Sequence, residues 1–126
     1  LKGAESVQDI EMACQLGLDG IIVSNHGGRQ VDVGQATIDS INTIAPLYKN
    51  KITLMMDSGI RGGADVARVM STGIDFCFMG RTFMYGVSAL GKKGGNHTIS
   101  MLKTQLTQIM EQLSCSRVTD IYKNKV

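Results

Sequence analysis

The sequence predicts an α/β fold built on a parallel sheet, and three observations predict it. Helix-type and strand-type patterns alternate along the chain. The strand-type runs are short and almost continuously apolar, as in a sheet whose strands are buried on both faces. Glycine, basic and hydroxyl residues collect just after those runs, at the strand ends where parallel β/α proteins assemble their sites.

Each element has a local signal. Ser6 is placed as a helix N-cap, with Asp9 in the first turn, Ile10, Ala13 and Cys14 at helical spacing, and Gly17 as the stop. Residues 20–24 form a β-branched run that reads as a buried strand, followed by a glycine-rich loop over 26–34. Ile38, Ile41, Ile44 and Ala45 mark a second helix, which Pro46 is expected to end or kink near Ala45. A strand over 51–56 ends at Asp57, and a helix over 64–70 stops at Thr72-Gly73. A third strand is expected over 75–79, ending at Gly80-Arg81. Residues 86–96 read as a Gly/Lys-rich loop. Ile99, Leu102, Leu106, Ile109 and Leu113 then define a long amphipathic helix, with a final turn over 117–122. The expected organisation is one domain, with βα units over 1–86 and a loop with helices over 87–126. Residues 17–24 and 73–80 share a pattern of Gly, apolar, Asp and strand, which fits repeated βα units and also a chance match of two short strands.

Composition removes several classes of function. Hydrophobic residues at 43% and charged residues at 19% describe a packed globular chain. A net charge of +2, with no basic run interleaved with aromatics, argues against a nucleic-acid partner, and Lys92-Lys93 reads as a solvated loop. Apolar runs such as 76–79 fall far short of the roughly 20 residues of a membrane span. Cys14, Cys77 and Cys115 form no CxxC pair and read as reduced core thiols of a cytoplasmic protein; no metal site is expected. The sequence opens on Leu1-Lys2 without a leader pattern and is expected to be a piece of something longer.

The residues that carry chemistry fall in clusters. In Ser24-Asn25-His26-Gly27-Gly28-Arg29-Gln30, a His and an Arg three apart on a glycine-rich loop can face one small ligand. Imidazole suits proton abstraction near neutral pH, and guanidinium suits a two-pronged hold on a carboxylate. From the residues alone, a loop that merely faces solvent is an equal reading. In Asp57-Ser58-Gly59-Ile60-Arg61-Gly62-Gly63-Ala64-Asp65 a strand runs through glycines straight into a helix, and Gly80-Arg81 repeats the glycine-plus-arginine strand end. Free N–H groups at the loop and helix start, with two arginines, describe a phosphate cradle; a tight turn using glycine for geometry alone is the alternative.

Taken in order and spacing, Leu1-Lys2-Gly3, the His26-Gly27-Gly28-Arg29-Gln30 loop, Asp57 to Arg61 with Gly63 and Asp65, and Gly80-Arg81 resemble the FMN-dependent α-hydroxy-acid dehydrogenases and oxidases. The resemblance covers essentially this whole sequence and the last third or so of a family member. It implies the C-terminal part of a (β/α)8 barrel, from the end of strand 5 through strand 8, plus C-terminal helices. It implies FMN as cofactor and oxidation of an L-2-hydroxy acid, L-lactate foremost, to the 2-oxo acid; a different FMN barrel using the same phosphate cradle is the alternative, against which the His26/Arg29 pair argues. His26 matches the catalytic base and Arg29 the substrate-carboxylate arginine. Lys2 matches the lysine facing the flavin N1/C2 carbonyl, and Ser24 a flavin contact. Asp57, Ser58, Gly59, Ile60 and Arg61 match the ribityl and phosphate segment, which Gly80 and Arg81 complete. Gln35 departs from the proline common in relatives of this loop. The family's first four strands, with the active-site tyrosines and the aspartate that pairs with the histidine, have no counterpart here, and a barrel needs roughly 250 residues. The chain is therefore expected to come from a truncated or split gene, or to be an expressed piece, with the N-terminal half of the barrel as its partner and no activity alone. In full-length form it is expected as a homo-oligomer, cytoplasmic or peripheral at the inner membrane.

Overall fold

The computed structural model describes residues 1–124, so the last two positions of the expected C-terminal segment lie outside the described residues. Four strands form one sheet in the order β1 (Lys2–Ala4), β2 (Gly20–Val23), β3 (Thr53–Met56) and β4 (Phe76–Cys77), each parallel to the next. Between them run α1 (Val7–Gln15), α2 (Thr37–Tyr48) and α3 (Gly63–Met70); α4 (Arg81–Leu90) and α5 (Gly94–Gln112) follow.

The N-cap of α1 is Ser6, whose hydroxyl accepts from the Asp9 N–H at 3.1 Å. Gly17 and Gly73 close α1 and α3 with φ of 73° and 91°, the left-handed turn that glycine allows. The echo between the two sequence segments is thus a repeated helix-stop and strand-start.

Strand alternation puts Ile21, Val23, Leu54 and Met56 on the face that packs with Ile10, Ile41, Ile44 and Val69 of the helices, all 3% exposed or less. The opposite face carries Ile22, Met55 and Phe76, aligned by register, with Phe78 just beyond. Phe76 and Phe78 remain 56% and 41% exposed, with ring centroids 5.0 Å apart. Both faces of the sheet are apolar, and among the described residues only one is covered.

Three elements depart from the sequence reading. The second helix does not end near Ala45: α2 runs to Tyr48 with Pro46 inside it. Pro46 removes a donor to the Asn42 carbonyl, but both residues are exposed, so water satisfies that carbonyl and the break is avoided. The third strand is two residues long rather than five, because it pairs on one side only; Asp75 and Phe78 extend the ladder by single bonds to Leu54 O and Met56 O, each 2.8 Å. The expected loop over 86–96 is mostly helix, and α4 crosses the 86/87 boundary. Two of its glycines, Gly86 and Gly94, serve packing instead. A Cβ on Gly86 would lie 2.9 Å from the Gly94 carbonyl oxygen, so these positions let α4 and α5 touch backbone to backbone. Gly63 does the same for α3 and α5, since its Cβ would sit 2.5 Å from the Gln105 Cβ.

Candidate active site at the strand ends

Because the strands are parallel, the residues that follow them emerge along one edge of the sheet. Ser24 follows β2 directly, Asp57 follows β3 directly, and Gly80 lies just past β4. The edge holds an open cleft of about 330 Å³. Lys2, His26, Arg29, Asp57, Ser58, Gly59, Ile60, Arg61, Gly80 and Arg81 all line it. Ser24 lies beneath, 2% exposed. Ile60 contributes backbone to the cleft, since its side chain is 1% exposed and belongs to the core.

Lys2 enters from β1. Its Nζ donates to Ser24 Oγ at 2.7 Å and forms an ion pair with Asp57. Asp57 Oδ1 also accepts from Ser58 Oγ at 2.8 Å. Burial pushes the Asp57 carboxyl up, but hydrogen bonds from Lys2, Ser24 and Ser58, with the Lys2 charge, outweigh it and hold the group below the usual carboxylate range.

The His26 loop is fastened from several sides. Ser24 Oγ accepts from the His26 N–H at 3.2 Å. Asn25 bonds to the Thr37 hydroxyl and the Gln35 carbonyl, each at 3.3 Å, which closes the loop at its far end. The Gly27 N–H donates to Asn25 Oδ1 at 2.9 Å and to Ser58 Oγ at 3.0 Å, and its carbonyl accepts from Arg81. His26 and Ser58 hold φ of 54° and 76°, a conformation costly for side-chain-bearing residues that persists where surroundings enforce it. His26 and Arg29 are exposed, and among the described residues Arg29 has no hydrogen bond or ion pair, so its guanidinium is available to a ligand.

The anion-binding reading needs one correction. The start of α3 is not a free anion site: Asp65 Oδ2 accepts from the Arg61 and Gly62 N–H groups at 3.0 and 3.2 Å, and Gln105 Oε1 takes Gly63 N–H at 2.8 Å. The helix caps itself with its own aspartate and a glutamine from α5. The start of α4 has no side-chain cap, and the Arg81 and Thr82 N–H groups there have no intrahelical acceptor. A Cβ on Gly59 or Gly80 would meet nothing within 4 Å, so both glycines leave open space at the cleft.

Two positions in the site had no role assigned from sequence. Thr82, buried at 7% exposure, donates to the Ile60 carbonyl at 3.3 Å and locks α4 to the loop after β3. Gln105 caps α3 from a helix distant in sequence. Thr82 follows the Gly80-Arg81 strand end, where no helix was expected, and the reach of Gln105 carried no sequence signal.

A parallel sheet with an imidazole, a free guanidinium and an uncapped helix start along its C-terminal edge describes a parallel α/β protein with a strand-end site. The FMN-dependent dehydrogenase family model matches residues 1–126, and the chain belongs to that family. It is 39% identical over 121 residues to "Oxidase FUB9" of Gibberella fujikuroi, covering 96% of this chain and 34% of that protein. It is 36% identical to the "L-lactate oxidase" of Lactobacillus jensenii, covering 96% of this chain and 30% of that one. Crystallised mandelate oxidase with benzoyl-formic acid superposes with a TM-score of 0.92 at 31% identity, covering 98% of this chain and 37% of the other. The chain thus spans about a third of the length of the relatives it matches. Its sheet is the C-terminal part of a (β/α)8 barrel. No described helix is long and apolar enough to cross a membrane.

Proposed function

We propose that this chain supplies the strand-5-to-strand-8 wall of an FMN-dependent enzyme that oxidises an L-2-hydroxy acid to the 2-oxo acid, with L-lactate the favoured substrate. The observation that carries the reading is the convergence of the sequence-matched residues on one cleft. The residues present fit FMN: two arginines, an uncapped helix start and two glycines open to the cleft suit a phosphate. Arg61, Arg81, Gly59 and Gly80 would hold that phosphate, Asp57 and Ser58 the ribityl chain, and Lys2 and Ser24 the ring. When bound, FMN supplies the two-electron acceptor.

The chain's own residues do the rest. Arg29, free of protein partners, clamps the substrate carboxylate through two parallel hydrogen bonds. His26, fixed by its loop, accepts the proton from the hydroxy acid and becomes imidazolium. Lys2 would supply positive charge to the bound ring, and its pairing with Asp57 orients it. The uncovered apolar face bearing Ile22, Met55, Phe76 and Phe78 supports a requirement for the remaining barrel strands, so the chain acts only with that partner. Tyr85 and Leu90, exposed on α4, support a homo-oligomer of the whole barrel, and three free cysteines support a cytoplasmic setting, with attachment at the inner membrane as a peripheral protein included.

The test is to purify the chain alone and together with a family N-terminal portion, then record the flavin spectrum and L-lactate-dependent dye reduction. Yellow, active protein only in the joint preparation is the expected result. A joint preparation that binds FMN yet oxidises no L-2-hydroxy acid would refute the substrate reading.

A further inference from the structure

We propose that Arg81 is a positioning residue for His26, a strut whose guanidinium holds the catalytic loop on one side and the phosphate cradle on the other. This rests on the reading of the α4 start as the phosphate site, and it adds a role which that reading does not contain. Arg81 is the first residue of α4, and its Nη2 donates to the carbonyl of Gly27, the residue after His26. A Cβ at Gly27 would lie 2.8 Å from Arg81 Nη2, 3.4 Å from Cζ and 3.9 Å from Nε, so the guanidinium meets the bare backbone by its Nη2 edge. Gly27 also has φ +70°, and a side chain there would both strain the backbone and dislodge the arginine.

The tether matters because of what it holds. His26 sits at φ 54°, which a non-glycine residue keeps only under constraint from its surroundings. The Gly27 N–H is fixed by Asn25 and Ser58, and Arg81 fixes the carbonyl end of the same residue. A guanidinium is planar and rigid and carries five N–H donors, so a bond to Gly27 leaves others for an oxyanion at the α4 start. Anchoring one edge of a rigid plane fixes the other. Phosphate held by Arg81 therefore stiffens the segment that carries the base. A lysine supplies the charge for phosphate but, as a single point donor on a flexible stem, cannot span both partners.

The experiment is hydrogen–deuterium exchange by mass spectrometry on the full chain, with and without millimolar inorganic phosphate, a measurement that tolerates self-association. In the native chain, phosphate is expected to slow exchange both at the start of α4 and across residues 26–28. In Arg81→Lys the α4 protection is expected to remain, while 26–28 exchange about tenfold faster and cease to respond, the effect of losing one charge-assisted hydrogen bond. Unchanged exchange in β2 and β3 serves as the control for folding. Gly27→Ala, which displaces the guanidinium with Arg81 intact, is expected to uncouple the two segments in the same way. Phosphate protection confined to the start of α4 in the native chain, or coupling retained in both variants, overturns the strut and leaves the cradle reading standing. Absence of protection at the start of α4 overturns both readings.

Discussion

Replacing Lys2 by Met tests the charge pair at the floor of the cleft. The change keeps the length and apolar stem of the side chain and removes its charge. Asp57 would lose its only cationic partner among the described residues, and Ser24 Oγ would lose a donor now at 2.7 Å. Removing one member of a fully buried pair costs about 3–5 kcal/mol, whereas exposed pairs contribute about 0–1 kcal/mol. Here the Lys2 and Asp57 side chains are 42% and 21% exposed, and Asp57 would keep its Ser58 and Ser24 contacts. A loss of about 1–2 kcal/mol at neutral pH follows, after allowance for solvent screening. The pH dependence has a fixed sign. Asp57 titrates below its ordinary value in the folded chain, so its contribution is present above the ordinary carboxylate range and is lost as pH falls through the depressed value. The difference between Lys2→Met and the native chain should therefore be full at pH 7 and shrink as pH falls below the ordinary carboxylate range and through the depressed value. Urea unfolding followed by circular dichroism, at matched chain concentration because association enters the equilibrium, measures it. No difference at pH 7, or an equal difference in acid, would refute the pairing argument.

Further outcomes follow from the same geometry. In an assembled barrel, His26→Ala should lower turnover about 10²- to 10⁴-fold with FMN still bound, read by dye reduction and flavin absorbance; loss of flavin with a normal rate in the remaining holoenzyme would contradict the base assignment. Arg29→Lys should raise KM for L-lactate more than it lowers kcat, because a point charge replaces a fork. The chain alone should lose FMN on gel filtration and run as associated species, and replacing Phe76 and Phe78 by Ser should shift it toward monomer in sedimentation. Gly94→Ala should destabilise by about 1–3 kcal/mol in thermal unfolding, since its Cβ has only backbone of α4 to meet.

What was legible in the sequence divides along physical lines. Strand ends were legible because an apolar run that stops at Ser24, Asp57 or Gly80 leaves little choice of where the chain emerges, and parallel pairing then brings those ends together. The Ser6 cap and the Gly17 stop were legible because they are local. The role of Gly86 and Gly94 was not: glycine signals a turn in sequence, and only the partner helix shows that the missing side chain is needed for contact. Pro46 misled for the converse reason, since its cost depends on whether water can reach the orphaned carbonyl. The capping of α3 by Asp65 and Gln105 was half visible. Asp65 lies three residues past its N-cap, a spacing that marks self-capping as readily as an anion site, and the fold had to decide between them.

The apolar face and the chemistry of the site are linked by one requirement. On the proposed reading, His26 and Arg29 form a single wall, and both are exposed to water as the chain stands. An exposed guanidinium competes with solvent for a carboxylate and gains about 0–1 kcal/mol from it, too little to orient a small hydroxy acid. The same contact strengthens severalfold when water is excluded and the local dielectric falls. Excluding water at this edge needs a second wall facing the first, and Ile22, Met55, Phe76 and Phe78 present the apolar surface on which such a wall packs. Burying those side chains would drive closure at about 25 cal/mol per Å² of apolar surface removed from water. That closure also removes solvent from the substrate groups. Assembly and activity should therefore rise together as a supplied N-terminal portion is titrated in, with the Phe76 substitution weakening both although that residue lies outside the cleft and takes no part in proton transfer.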